Sequence, residues 1–390
     1  MRRAALSGCV AVLLGCGLSL GAEAKAEKVK PAGPARHIDL AVCLDTSNSM
    51  DGLIGSAKQK LWAIVNELAT AKPTPALRVG LYQYGNNGLN REVGWVQRVC
   101  DLTDDLDTVY EKLFKLTTNG GTEYVARVMR AATEELKWNA DKNALRIIFV
   151  AGNEPATQDG KHKLQDTCAA AAAKGIIVNT IFCGPADRGR QTGWADAARW
   201  ADGQYAAIDQ DRGTVVVNTP YDKKLAELSG KLNRTYVAYG PGGGQGAARQ
   251  VMQDSLALKL GASVAAERAN AKASGLYRSG KWDLVDAVKE KKVELEKIGA
   301  AELPEEMKKM TLEQRKAHLA KQAAERDKIR KEIGELSGKR QAHVKSEMSK
   351  RGLSDEKSFD AVLRAFVRSQ AEAKGFEFKK PQAPTPEKSE

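Results

Sequence analysis

At 390 residues with 42% apolar and 28% charged side chains, the chain is long for one domain and ordinary in apolar content, which predicts two globular regions. Its formal charge is +12, and +8 of this lies beyond Gly246, where 31 Lys and Arg face 23 Asp and Glu. A solvated helical face accounts for such an excess, with an anionic cell-envelope surface as the alternative; no specific nucleic acid is expected.

Met1-Arg2-Arg3 precedes an apolar run through Val10, Val12, Leu13, Leu14, Leu18 and Leu20, and Ala22-Glu23-Ala24 closes it. These are the charged, apolar and small-residue regions of a secretory leader, so residues 1–24 read as a signal peptide. Leu13-Leu14-Gly15-Cys16 also resembles a lipoprotein box, an alternative that would leave Cys16 lipidated. Either route implies a periplasmic or secreted protein. No later run reaches the ~20 apolar residues of a bilayer span. Residues 25–36, with Lys25, Lys28, Lys30, Pro31 and Pro34, read as a flexible tether.

Between Ile38 and Leu44 a short segment of strand length alternates Ile38, Leu40, Val42 and Leu44, with Ala41 and Cys43 nearly as apolar between them, as expected of a parallel strand covered on both faces. It ends in Asp45-Thr46-Ser47-Asn48-Ser49, and Leu61, Ile64, Val65 and Leu68 then mark a helix. Leu77 to Tyr84 is a second strand, and Gly85-Asn86-Asn87-Gly88 turns it toward an antiparallel third at Val93 to Cys100. Thr103, Asp104 and Asp105 cap a helix carrying Leu106, Val109, Tyr110, Leu113 and Leu116. Asn119-Gly120-Gly121-Thr122 leads into a further helix from Glu123 to about Trp138. Arg146 to Ala151 is the fourth strand, Leu164 to Lys174 a helix, Gly175 to Phe182 the fifth strand, Trp194 to Ala201 a short helix and Gly203 to Ile208 the sixth strand. Successive βα units imply right-handed parallel crossovers. Tyr221 to Leu232 is expected to close the domain. The fold class is therefore α/β, a doubly wound and mostly parallel six-stranded sheet, followed by a helical C-terminal region.

Oxygen-bearing side chains crowded at the carboxyl edge of such a sheet stand where ligands bind, and an all-oxygen set suits a hard divalent cation. Asp45-Thr46-Ser47-Asn48-Ser49 resembles the D-x-S-x-S signature of the von Willebrand factor type A family, and Asn119-Gly120-Gly121-Thr122 resembles the loop that supplies the family's threonine ligand. The resemblance covers 37–240. It implies a metal-ion-dependent adhesion site for Mg²⁺, with Mn²⁺ or Ca²⁺ as alternatives, held by Asp45, Ser47, Ser49 and Thr122. A protein partner's acidic side chain would complete the shell. The family's T-D-G after the fourth strand is replaced by Gly152-Asn153-Glu154, so Gly152 stands where the Asp should be, with Asn153 and Glu154 at the rim or in the outer shell.

Gly240-Pro241-Gly242-Gly243-Gly244-Gln245-Gly246 lacks the Lys-Ser/Thr of a phosphate loop, so 241–249 is expected to be a linker. Beyond it, 250–374 reads as charged helices at Gln250 to Ala273, Lys281 to Ile298, Thr311 to about Lys350 and Ser354 to Lys374, with a disordered tail at 375–390. Arg326 and Arg340 interrupt the apolar seam of the long helix, which argues against a sustained heptad and for helices packed on each other. Removal of the leader leaves Cys43, Cys100, Cys168 and Cys183, with three pairings open and no zinc spacing. The four His residues fit no catalytic pattern, and there is no G-x-S-x-G, H-E-x-x-H or Walker lysine. The expectation is a binding module outside the cytoplasm, not an enzyme. Its alternative is a metal-free scaffold acting through the basic helical region.

Overall fold

The computed structural model describes residues 36–208, 216–352 and 358–378. The expected leader and most of the tether lie outside them. Strand β1, His37–Asp45, is central, parallel to β3 (Ala76–Tyr84) on one side and to β5 (Leu145–Gly152) on the other. Strands β6 (Ile176–Cys183) and β7 (Tyr205–Ile208) continue the parallel order, and β4 (Val96–Thr103) adds an antiparallel edge on β3. The sheet order is β4-β3-β1-β5-β6-β7. β4 begins three residues later than expected because Gly94 and Trp95 both take positive φ and prolong the turn.

Burial on both faces explains why β1 is apolar at every position from Leu40 to Leu44. Ile38, Leu40 and Leu44 join one core with Leu77, Val79 and Leu81 of β3 and Ile147 and Phe149 of β5. Ala41 and Cys43 join the opposite core with Tyr82, Tyr84, Ile148 and Val150. Helices α1 (Asp51–Ala69) and α2 (Leu106–Phe114) bury their apolar stripes in the first core. α2 starts at the Asp105 cap, whose carboxylate accepts the Thr108 N–H at 3.1 Å. Helices α3 (Val125–Glu135), α4 (Leu164–Ala173) and α6 (Trp194–Trp200), the last following the short α5 (Ala186–Gln191), cover the second core. Cys43, Cys100 and Cys168 are free thiols.

The C-terminal helices depart most from expectation. Helix α7 (Asp222–Asn233) does not close the sheet; it packs with α9 (Ala262–Ala273) and α12 (Leu312–Lys350). The sheet is covered instead by α13 (Phe359–Ala373). Its Phe359, Leu363 and Val367 enter the first core, and Phe366 stacks on Phe149 at 6.4 Å. Gln370 exchanges two hydrogen bonds, 3.0 and 2.8 Å, with the fully buried Asn179 of β6. Residues 375–378, expected to begin a disordered tail, include β8 (Glu377–Phe378), which pairs antiparallel with β2 (Ala71–Lys72). The helical region thus finishes the core of the sheet, and the described residues form one compact unit.

The expected linker is helix from Gly243 onward, α8 (Gly243–Leu260), because Gly246 lets the helix meet the Trp282 ring; a Cβ there would lie 2.2 Å from it. The helix expected through Ala273 breaks at Gly261, where φ is +137°. Of the span from Lys281 to Ile298 only α10 (Leu284–Lys289) is α-helical, and the short α11 (Glu305–Lys308) follows. The two seam arginines of α12 are internal. Arg326 lies against Asp283 and Asp286 at 2.7 and 2.8 Å and over the Tyr236 ring at 4.0 Å, and Arg340 holds Asp222 at 2.8 Å. Ion pairs are buried where a heptad seam would carry apolar side chains. Among the described residues no helix is long and apolar enough to cross a membrane.

Candidate functional site

The carboxyl ends of β1 and β5 bring three loops together. Leaving β1, the Thr46 N–H donates to the Tyr84 carbonyl at 2.9 Å, and the Thr46 carbonyl accepts the Asn119 N–H at 3.0 Å. The second bond ties the Asn119–Thr122 loop to the D-x-S-x-S turn. Gly121 allows the closest approach, since a Cβ there would sit 2.0 Å from the Gly85 carbonyl oxygen. Thr118 donates to the Asp51 carboxylate in the first turn of α1, fixing the same loop from its other end.

Within the turn, Asp45 Oδ1 accepts the Ser47 N–H at 2.8 Å, and the Ser47 and Ser49 hydroxyls stand 3.2 Å apart. Asn153 Nδ2 donates to Ser49 Oγ at 3.0 Å, so the residue after Gly152 reaches the serine pair. Thr122 is half-buried in the neighbouring loop. The side chain that reaches Asp45 from that loop belongs to the next residue, Glu123. A methyl placed on Gly85 would lie 2.6 Å from Glu123 Cγ and 2.8 Å from Asp45 Oδ1, which places the Glu123 side chain beside the Asp45 carboxylate. Glu154 stands at the rim, 3.9 Å from Arg188, while its carbonyl accepts the Trp194 indole N–H at 2.8 Å.

The electrostatics of the cluster are those of too much negative charge in too little water. Burial pushes Asp45 up to about 8, with the Glu123 charge adding to it and the Ser47 N–H opposing. Burial likewise pushes Glu123 up to about 7, with Glu154 adding and the Ser47 hydroxyl opposing. Asp45 Oδ2, Glu123 Oε2 and Asn153 Oδ1 are buried without a hydrogen-bond partner among the described residues. Buried acceptors of this kind are costly unless something positive meets them. The donor set of carboxylate, hydroxyl and amide oxygens fits a hard divalent cation. Among the described residues no group of three or more His, Cys, Asp or Glu is arranged to hold a metal, so any ion here relies on hydroxyls as well as carboxylates.

Gly152 has no room for the missing aspartate. A Cβ there would lie 2.4 Å from Tyr84 Oη and 3.1 Å from Asp45 Oδ2, and the Tyr84 hydroxyl donates to the Ala151 carbonyl at 3.0 Å. Sequence reasoning missed Glu123 because it was counted as the first residue of a helix. The available signal was a carboxylate directly after the Gly-Gly-Thr loop, in a chain lacking the acid after β5.

Residues 40–154 match the family profile described as von Willebrand factor type A domain. No curated protein matches. Among solved structures, the VWA domain of SpRpn10 is similar at 18% identity and TM-score 0.35, over 47% of this chain and 100% of that one. Proximal thread matrix protein 1 from the mussel byssus is similar at 12% identity and TM-score 0.34, over 46% of this chain and 43% of its own; it is also known with a zinc-occupied MIDAS motif. A von Willebrand factor type A protein from Catenulispora acidiphila is similar at 13% identity and TM-score 0.35, over 45% of this chain and 40% of that one. The chain thus spans under half the length of the byssus and Catenulispora proteins.

Proposed function

From the premise that the chain carries a von Willebrand factor type A domain, a module typically engaged in protein interaction or adhesion, we propose that it is an extracytoplasmic binding module whose adhesion site takes a Mg²⁺-type ion. The observation that carries this reading is the pair of buried, unpartnered carboxylate oxygens on Asp45 and Glu123 beside the Ser47–Ser49 hydroxyl pair. Asp45, Ser47, Ser49 and Thr122 would hold the ion, and Asn153 would orient Ser49. The bound ion would supply a positive centre for an oxygen from a protein partner, an acidic side chain by the family's pattern. The leader-like run at Met1 to Ala24 supports a place outside the cytoplasm.

The test uses the full chain, since α13 belongs to the core of the sheet. Mg²⁺ or Mn²⁺ at millimolar concentration raises the melting temperature, and Asp45→Ala abolishes the rise. A wild-type melting curve indifferent to both ions would overturn the reading.

One observation favours a second reading, a scaffold acting through its helical region. Val251, Met252 and Leu258 of α8 expose 52, 59 and 57% of their surface, large apolar side chains left uncovered on one helix. Cosedimentation with phosphatidylglycerol vesicles, lost in a Met252→Glu/Leu258→Glu variant, would support it; no sedimentation would count against its envelope-surface form.

A further inference from the structure

We propose that Glu123 is the second acidic ligand of the ion site, taking over in this chain the part that a residue at 152 cannot play. This rests on the metal-dependent reading above and adds a ligand to it. Three observations carry it. Position 152 is closed, since Tyr84 Oη and Asp45 Oδ2 already occupy the space into which any side chain would project. Glu123 is 6% exposed and Asp45 0%, so neither carboxyl group is solvated as a surface acid would be. Each keeps one oxygen, Oε2 and Oδ2, buried and without a hydrogen-bond partner among the described residues. The other Asp45 oxygen is occupied by the Ser47 N–H. Two buried acids facing each other with vacant acceptor positions are arranged for a cation and are unfavourable without one.

The loop explains how Glu123 gets there. Gly121 presses against the Gly85 carbonyl, and α3 begins only at Val125, so Glu123 precedes the helix and its side chain lies along Gly85 toward Asp45. A helix starting at Glu123 would have carried that side chain with the helical repeat instead.

The charge count changes the partner. With Asp45 and Glu123 both ionised, a divalent ion is neutralised by this chain alone, whereas one carboxylate would leave a net positive centre. The balanced site favours a neutral oxygen, a carbonyl or hydroxyl, over a partner carboxylate.

The experiment is Mn²⁺ titration of the full-length wild type, Asp45→Ala and Glu123→Gln, followed by the Mn²⁺ electron-spin signal, together with melting curves in metal-free buffer. Glu123→Gln is expected to weaken Mn²⁺ binding at least about tenfold while melting no lower than wild type without metal, because it removes a buried charge. Glu123→Gln binding within a factor of about two of wild type, with Asp45→Ala defective, overturns the assignment of Glu123 and leaves the ion site standing. A variant melting several degrees lower in metal-free buffer makes Glu123 a structural residue and also overturns it. Failure of the wild type to bind Mn²⁺ removes both readings. Acetate, standing in for an acidic side chain, should tighten Mn²⁺ binding to Glu123→Gln and not to wild type; equal tightening in both overturns the charge argument.

Discussion

At the scale of single residues, Gly152 and Tyr84 set what the carboxyl edge of the sheet can contain. The phenol fills the volume where an acidic side chain would stand, and its hydrogen bond to the Ala151 carbonyl holds the ring there. Gly152→Asp therefore should not add a ligand. It is expected to lower stability by about 1–3 kcal/mol through overpacking, read by urea unfolding. Tyr84→Phe removes the oxygen nearest to the new Cβ, so the double variant should recover part of that loss; strict additivity would mean the two positions do not contend for the same space. Thr122 and Glu123 make the complementary point, since these two adjacent residues on one loop are both proposed ligands, and only the first belongs to the motif.

At the scale of elements, glycines and buried charges decide how the helices meet. Gly246→Ala should gain up to about 1 kcal/mol of helix propensity, yet the new methyl would sit 2.2 Å from the Trp282 ring. Net destabilisation is expected; a stabilised Gly246→Ala would show that α8 and Trp282 are not in contact. Arg268 and Lys272 of α9 meet Asp254 of α8 at 2.5 and 2.8 Å, and Arg268 also reaches Asp107 of α2 at 2.6 Å. Burial alone would raise the Asp254 carboxyl, but Lys272 and Arg268 outweigh it and hold it at about 2, below its ordinary 3.8. A lowered carboxylate binds its proton more readily in the unfolded chain. Its contribution is therefore complete above about pH 4 and is lost as pH falls toward 2. Asp254→Asn should cost about 3 kcal/mol at neutral pH, because it removes the carboxylate paired with the buried Lys272 and one of the two that hold Arg268, and the gap to wild type should narrow as the solution is acidified through that window. A gap independent of pH would assign the cost to packing.

At the scale of the whole molecule, the chain leaves the sheet after β7, builds a helical region around internal ion pairs, and returns α13 to cover β1 and β5. Deleting residues 353–390 removes Phe359, Leu363 and Val367 from the core and leaves Asn179 without Gln370. Each large apolar loss of this kind costs about 2–5 kcal/mol, which together exceeds the margin of an ordinary domain. The truncated chain should fail to fold cooperatively. Intact, it should unfold in one transition, with far-ultraviolet circular dichroism and tryptophan fluorescence coincident. Two separated transitions would restore the two-domain expectation.

Local information was enough for the strands, the caps and the oxygen-rich turn. The apolar runs of β1, β3 and β5, the Asp105 cap and the D-x-S-x-S run all depend on neighbours within a few residues, and the order of βα units then leaves few sheet topologies. The tertiary structure alone decided which helix covers the sheet and which acid faces Asp45. Both depend on residues far apart in the chain: Phe366 against Phe149, and Glu123 beside Asp45 over Gly85. The glycine-rich stretch at 241–249 is the sharpest case. Its composition is that of a linker, and only the Trp282 ring lying against Gly246 gives that glycine a packing role.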